Sequence, residues 1–141
     1  MARTAVPFSI DLPDSWEDQT IYTFKGPDDG DTRHYMTLVL DRSAGDVDLE
    51  TYADEQIDAT LESLSGAEEL KRERKELPGG HTVYESVFRW IPADRQRIFR
   101  KQSYLIQGGI AYAFACNFSK KTLKTLGAQM DLIIDTVTPA S

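Results

Sequence analysis

Apolar and polar residues alternate along most of this chain, and the changes in that rhythm mark its elements. Phe8, Ile10 and Leu12 alternate with Ser9 and Asp11, which predicts a half-buried strand that Pro13-Asp14 stops. Trp16 is expected to plug the corner that follows. In the next strand Ile21 and Thr23 share one face while Tyr22 and Phe24 share the other. Gly26-Pro27-Asp28-Asp29-Gly30-Asp31 reads as a turn leading into a third strand over His34 to Arg42. There Met36, Leu38 and Leu40 form a wholly apolar side that should meet the core, opposite Tyr35, Thr37, Val39 and Asp41.

The period then changes from two to 3.6. Leu49, Tyr52, Ala53, Ile57, Leu61 and Leu64 form one stripe of a helix capped by Asp46 or Asp48 and running to about Ser65-Gly66. Gln56 lies along the edge of that stripe, where its amide must either bond a strand backbone or face a solvent-filled concavity. Both readings stand at this point.

Glu68 to Phe118 predicts a four-stranded antiparallel meander, turned at Leu77-Pro78-Gly79-Gly80, Ile91-Pro92-Ala93-Asp94 and Gln107-Gly108-Gly109. Its first strand, Lys71 to Glu76, mixes charges and reads as a solvated edge. Tyr84, Phe88 and Trp90 share a face of the second, and neither side of Arg97 to Gln107 is cleanly apolar. In the last strand Ile110, Tyr112, Phe114, Cys116 and Phe118 oppose Ala111, Ala113, Ala115 and Asn117. So small a face admits another backbone, from this chain, a second subunit or a bound peptide. A closing helix capped by Ser119 carries Leu123, Leu126, Met130, Ile133 and Val137 at helical spacing.

Composition narrows the function. The 141 residues make about one domain, and 23 acidic against 16 basic side chains give a net charge of -7. That balance disfavours nucleic acid and anionic membranes, which need a cationic surface. The basic residues Arg89, Arg95, Arg97, Arg100 and Lys101 are expected on a solvated or dimer-rim face. No apolar run approaches the roughly 18 residues of a membrane span, and no apolar signal core precedes the first strand, so a cytoplasmic protein without direct membrane insertion is expected.

Chemistry has little to work with. Cys116 sits in a core pattern, while His34 and His81 are expected at the surface with no second ligand at metal spacing. The aspartates of the Gly26–Asp31 turn lack the spacing of a calcium loop, and there is no phosphate-cradling loop, nucleophile elbow or dinucleotide fingerprint. No catalytic residue, metal or cofactor is expected, and the protein is read as a non-enzyme.

The run Leu12-Pro13-Asp14-Ser15-Trp16-Glu17-Asp18-Gln19 with Ile21 and Phe24, then Val39 with Asp41-Arg42, Tyr52 with Gln56-Ile57, and Arg100-Lys101-Gln102, resembles a bacterial family that includes the Eag chaperones of the type VI secretion system. The resemblance covers nearly the whole chain. It implies a single domain over residues 1–141, an α+β fold built as a PsbP-like α/β sandwich: a strongly twisted antiparallel sheet with two main helices in the order βββα-ββββ-α. It also implies a homodimer and a client, the N-terminal transmembrane helices of a type VI effector of the Rhs or PAAR type, shielded before export. By the same resemblance the effector-binding positions are Ile21, Thr23, Thr37, Val39, Gln56 and Gln102, with Thr23 more polar than the isoleucine or valine expected there. The face assignments made from alternation alone agree, since they put Ile21 with Thr23 and Thr37 with Val39. The alternative is a regulatory docking module that binds a folded partner.

Overall fold

The alternating runs become strands where their apolar sides find a helix to cover them. In a computed structural model, which describes residues 9–17, 19–30, 32–92 and 96–139, the order is β1 (Ile21–Lys25), β2 (Tyr35–Asp41), α1 (Leu49–Ser63), β3 (Glu68–Glu76), β4 (Thr82–Trp90), β5 (Ile98–Gln107), β6 (Ile110–Phe118) and α2 (Lys120–Asp135). The six strands form one antiparallel sheet in the order β1-β2-β6-β5-β4-β3. This is the expected α+β class with its two helices.

Each helix takes one face of the sheet. On the first, Met130 and Ile134 of α2 press into Val83, Phe99, Leu105, Phe114 and Phe118, with Met36 and Leu38 of β2 packed alongside. On the second, Ala53 and Ile57 of α1 meet Tyr84 and Tyr104. The stripe predicted on α2 is shifted by one residue at its end, since Ile134 is buried and Ile133 is exposed. Asp48 caps α1 by accepting from the Thr51 amide at 3.1 Å, and Ser119 caps α2 in a capping box with Thr122. The β5–β6 hairpin turns on Gly108 and Gly109, both at positive φ, as a tight two-residue turn demands.

The charged strand β3 is more than a solvated edge. Arg72 reaches Asp54 at 3.0 Å and Asp58 at 2.8 Å on α1, with Glu69 at 2.7 Å, and Arg74 reaches Glu50 at 3.1 Å. On the other face Lys71 and Lys75 flank the buried Glu85 carboxylate at 3.1 and 3.4 Å. One strand therefore clasps α1 on one side and neutralises a buried acid on the other.

Three readings change at the edges. Ser9 to Leu12 run before β1 without strand pairing, and Ile10 and Leu12 stay exposed, because no surface of the described chain lies opposite them; Phe8 lies outside the described residues. Trp16 does not plug the corner. It is 68% exposed, and the turn closes instead through its own amide, which donates to the Pro13 carbonyl at 3.0 Å. His34 is buried rather than superficial, at 3% exposure, because its ring bridges the Pro27 carbonyl at 2.8 Å and the Thr122 hydroxyl at 2.9 Å, tying the β1–β2 loop to the start of α2.

Candidate functional site

The two helices do not cover equal amounts of sheet. Helix α1 packs over β3, β4 and β5, and among the described residues no helix covers the same face of β1, β2 and much of β6. Strand register fixes what stands on that open ground. Thr23 of β1 pairs with Thr37 of β2, Thr37 with Ala115 of β6, and Ala115 with Gln102 of β5, a single row across four strands. One row along, Ile21 pairs with Val39, Val39 with Ala113 and Ala113 with Tyr104. Because side chains directly opposite in register share a face, the five predicted strand positions fall on one lane.

The lane is graded from open to closed. Ile21 is 59% exposed at the sheet edge, Thr37 and Val39 are half-buried, and Gln102 is 7% exposed, with its side-chain oxygen accepting from the Tyr104 hydroxyl at 3.3 Å. Burial pushes the Tyr104 hydroxyl up to about 12, so it stays a donor at neutral pH. Ala113 and Ala115 form the floor between the threonine–valine and tyrosine–glutamine columns. The small face of β6 thus lies within the lane, and residues this small allow close approach of another backbone.

Gln56 joins from above. It is exposed on α1 and lines, with Val39, Asp41, Tyr52, Glu17 and Arg42, an open cleft of about 530 Å³ where the lane meets α1. Its amide faces solvent in a concavity, the second of the two readings open from sequence. The Tyr52 hydroxyl crosses from α1 to donate to Asp41 at 2.7 Å. That bond, with the Ser43 hydroxyl and amide, holds the Asp41 carboxyl below its ordinary pKa. Burial first, and the carboxylate second, raise the Tyr52 hydroxyl well above the ordinary tyrosine value.

Sequence reasoning missed the other end of the lane. Arg100, half-buried, stacks over Trp90 at 4.9 Å and Phe88 at 5.8 Å from the ring centroids, and its Nε donates to Asn117 at 2.7 Å. The alternation around Arg97 to Gln107 was the signal, since Arg100 and Gln102 share a face with Phe88 and Ser86. The expected basic rim is split: Lys101 faces α2, Arg89 pairs with Glu68 at 2.9 Å, and Arg95 lies outside the described residues.

Cys116 is buried as expected, and burial pushes its thiol up to about 11. It lines a separate apolar recess of about 200 Å³ under α2, with Phe24, Met36, Phe118, Met130 and Ile133. None of the predicted positions is there. Among the described residues no three His, Cys, Asp or Glu side chains converge to hold a metal ion, and no helix is long and apolar enough to cross a membrane.

Comparison with known proteins adds two findings. The family profile DcrB matches residues 8–136. The crystal structure of PA94, a protein of unknown function from Pseudomonas aeruginosa, superposes with a TM-score of 0.76 over 92% of this chain and 90% of that one, at 21% identity. At that identity the likeness is one of fold. No curated protein matches the chain.

Proposed function

The chain belongs to the DcrB family, and from that premise we propose that it is a non-enzymatic, cytoplasmic chaperone or adaptor of the Eag type. In this reading it shields the N-terminal transmembrane helices of a type VI effector, of the Rhs or PAAR type, before export, and works as a homodimer. The observation that carries the reading is the continuity of Thr23, Thr37, Ala115 and Gln102, and of Ile21, Val39 and Ala113, on the ground α1 leaves uncovered.

The physics suits such a client. A transmembrane helix of about 20 apolar residues aggregates in water unless covered. A floor of alanines admits its backbone closely, Ile21 and Val39 supply apolar contact, and the hydroxyl and amide groups of Thr23, Thr37, Gln56 and Gln102 answer the polar groups by which membrane helices pair.

A second reading, a regulatory module that docks on a folded partner, draws on the description of PA94 as a candidate regulator. The two readings part in one experiment: purification of the tagged protein from its native cells under secretion-active conditions, with mass spectrometry of what stays bound. Recovery of a large toxin with N-terminal membrane helices supports the chaperone; recovery of only a soluble folded partner moves the assignment to the docking module.

A further inference from the structure

The open lane is electrically uneven along its length. At the Tyr35 end of β2 stands Arg100, paired in register with Asn117 of β6 and with Phe88 of β4. Its guanidinium is held by two aromatic faces and one amide oxygen, and among the described residues no carboxylate pairs with it. Burial lowers its pKa, the mark of a charge that neither water nor an acid compensates, yet a guanidinium stays protonated through any ordinary pH. Lys25, opposite Tyr35 on β1, adds a second cation at this end, 3.4 Å from the exposed Asp28.

The other end is acidic. Asp41 closes β2 there, kept ionised by Tyr52 and Ser43, and Glu17 stands across the cleft. Arg42 shares that cleft, with its guanidinium donating to Thr20 at 3.3 Å. Between the two ends the rows hold threonine, valine, isoleucine, alanine, glutamine and tyrosine, with no charge.

An α-helix carries about half a positive charge at its N-terminus and half a negative charge at its C-terminus. The seven residues of β2 span roughly 20 Å, the length of about 13 helical residues. The three strands β1, β2 and β6, at about 4.8 Å spacing, give a width that takes one helix of about 10 Å diameter. We propose that an apolar client helix lies along β2 in one direction only, its N-terminal turn over Asp41 and its C-terminal carbonyls over Arg100. This deepens the chaperone reading and rests on it. Arg100 is then a specificity residue that reads helix direction, and the free N–H groups of its guanidinium meet the unpaired carbonyls of the last turn.

The test uses a Leu/Ala peptide of about 15 residues, acetylated, amidated and flanked by identical uncharged sarcosine tails, with a nitroxide at one end or the other. Paramagnetic broadening is read on the isotope-labelled full chain. The C-terminal label should broaden the amides of Tyr35 and Asn117, and the N-terminal label those of Gln19 and Ser43, with a preference of roughly three- to tenfold. Thr37 and Ala115, at mid-lane, should respond to both labels. Arg100→Gln should reduce the preference clearly, to what Asp41 and Lys25 alone sustain, while Arg100→Lys keeps it. Equal broadening of both ends by either label in the unmodified chain, or the reverse assignment, overturns the direction while leaving the lane. Absence of any effect on Thr37 and Ala115 overturns the chaperone reading and the direction together.

Discussion

The ammonium of Lys101 meets both carboxylate oxygens of Asp131 at 2.7 Å, and so pins the C-terminal half of α2 to the sheet. Lys101 is almost fully buried, and it also donates to the Gly127 carbonyl at 3.3 Å. Lysine at such a place follows from β5 alternation, which forces every second side chain of the Arg100-Lys101-Gln102 run under α2. Removing the acid strands a cation in the core. Asp131→Ala should cost about 2–4 kcal/mol in urea unfolding, less than for a wholly buried pair because Asp131 is a third exposed. Lys101→Met leaves the Asp131 carboxylate a third exposed and 3.7 Å from the Lys75 ammonium, so it should cost less, within about 1 kcal/mol of the parent.

Gly127 faces this pair, and the space beside it admits a methyl group. A Cβ placed there meets Leu123 at 3.5 Å and the Lys101 stem at 3.6 Å, ordinary contact distances, and the backbone is helical. Gly127→Ala should therefore stabilise the protein by about 0.5–1 kcal/mol, seen as a higher urea midpoint with unchanged slope. A loss of stability would mean that α2 sits closer to β5 than these distances state.

Much of this arrangement was legible in the sequence because it depends on period and sign. The face of β2 that meets α2, the small face of β6, the cap at Ser119 and that of α1, narrowed to Asp46 or Asp48 and found at Asp48, follow from alternation and from the chemistry of orphan amides. Alternation also put Ile21 with Thr23 and Thr37 with Val39; that the two pairs stand side by side came from the family resemblance, and strand register is what aligns them. What was not legible depends on partners far away in sequence. His34 looked superficial because its second partner, Thr122, lies 88 residues on. Arg72 looked like one charge of an edge strand because Asp54 and Asp58 belong to a helix whose placement no local pattern states. Trp16 and the Ser9–Leu12 run failed differently: their apolar residues predict burial, and the described chain offers nothing to bury them against.

The Tyr52–Asp41 bond makes stability depend on acid. The carboxyl is held below its ordinary value by the Tyr52 hydroxyl first and by Ser43 second, so the folded state prefers the ionised form more than the unfolded chain does. This contribution is complete above the unfolded carboxyl value of about 3.9 and is lost as pH falls through the lower folded value. Tyr52→Phe should raise the Asp41 titration toward the ordinary range in a carboxyl-detected NMR titration. The difference in stability between variant and parent should shrink below about pH 4. A titration unmoved by the substitution would assign the shift to Ser43 alone.

Cys116 should be slow to react. Its thiol is buried and pushed up to about 11, so the thiolate that attacks disulfide reagents is scarce at neutral pH and shielded when present. Modification by an aromatic disulfide at pH 7.5 should follow unfolding, accelerating by orders of magnitude in denaturant. Rapid stoichiometric labelling of the native protein would show that the recess beneath α2 opens readily.

The lane itself is tested at its two apolar columns. Ile21 is exposed and Val39 only half-buried, so a carboxylate at either position should change stability little, within about 0.5 kcal/mol for Ile21 and about 1–2 for Val39. Against an apolar helix the same carboxylate loses its water without gaining a partner, a cost of several kcal/mol. Ile21→Asp and Val39→Asp should each weaken capture of the Leu/Ala peptide by about a hundredfold or more while circular dichroism and oligomeric state stay unchanged. Thr23→Ile should act the other way, tightening binding several-fold by adding apolar area in the row that joins Thr37 to Gln102. Undiminished binding in both aspartate variants would remove the lane as the site, whatever the protein binds elsewhere.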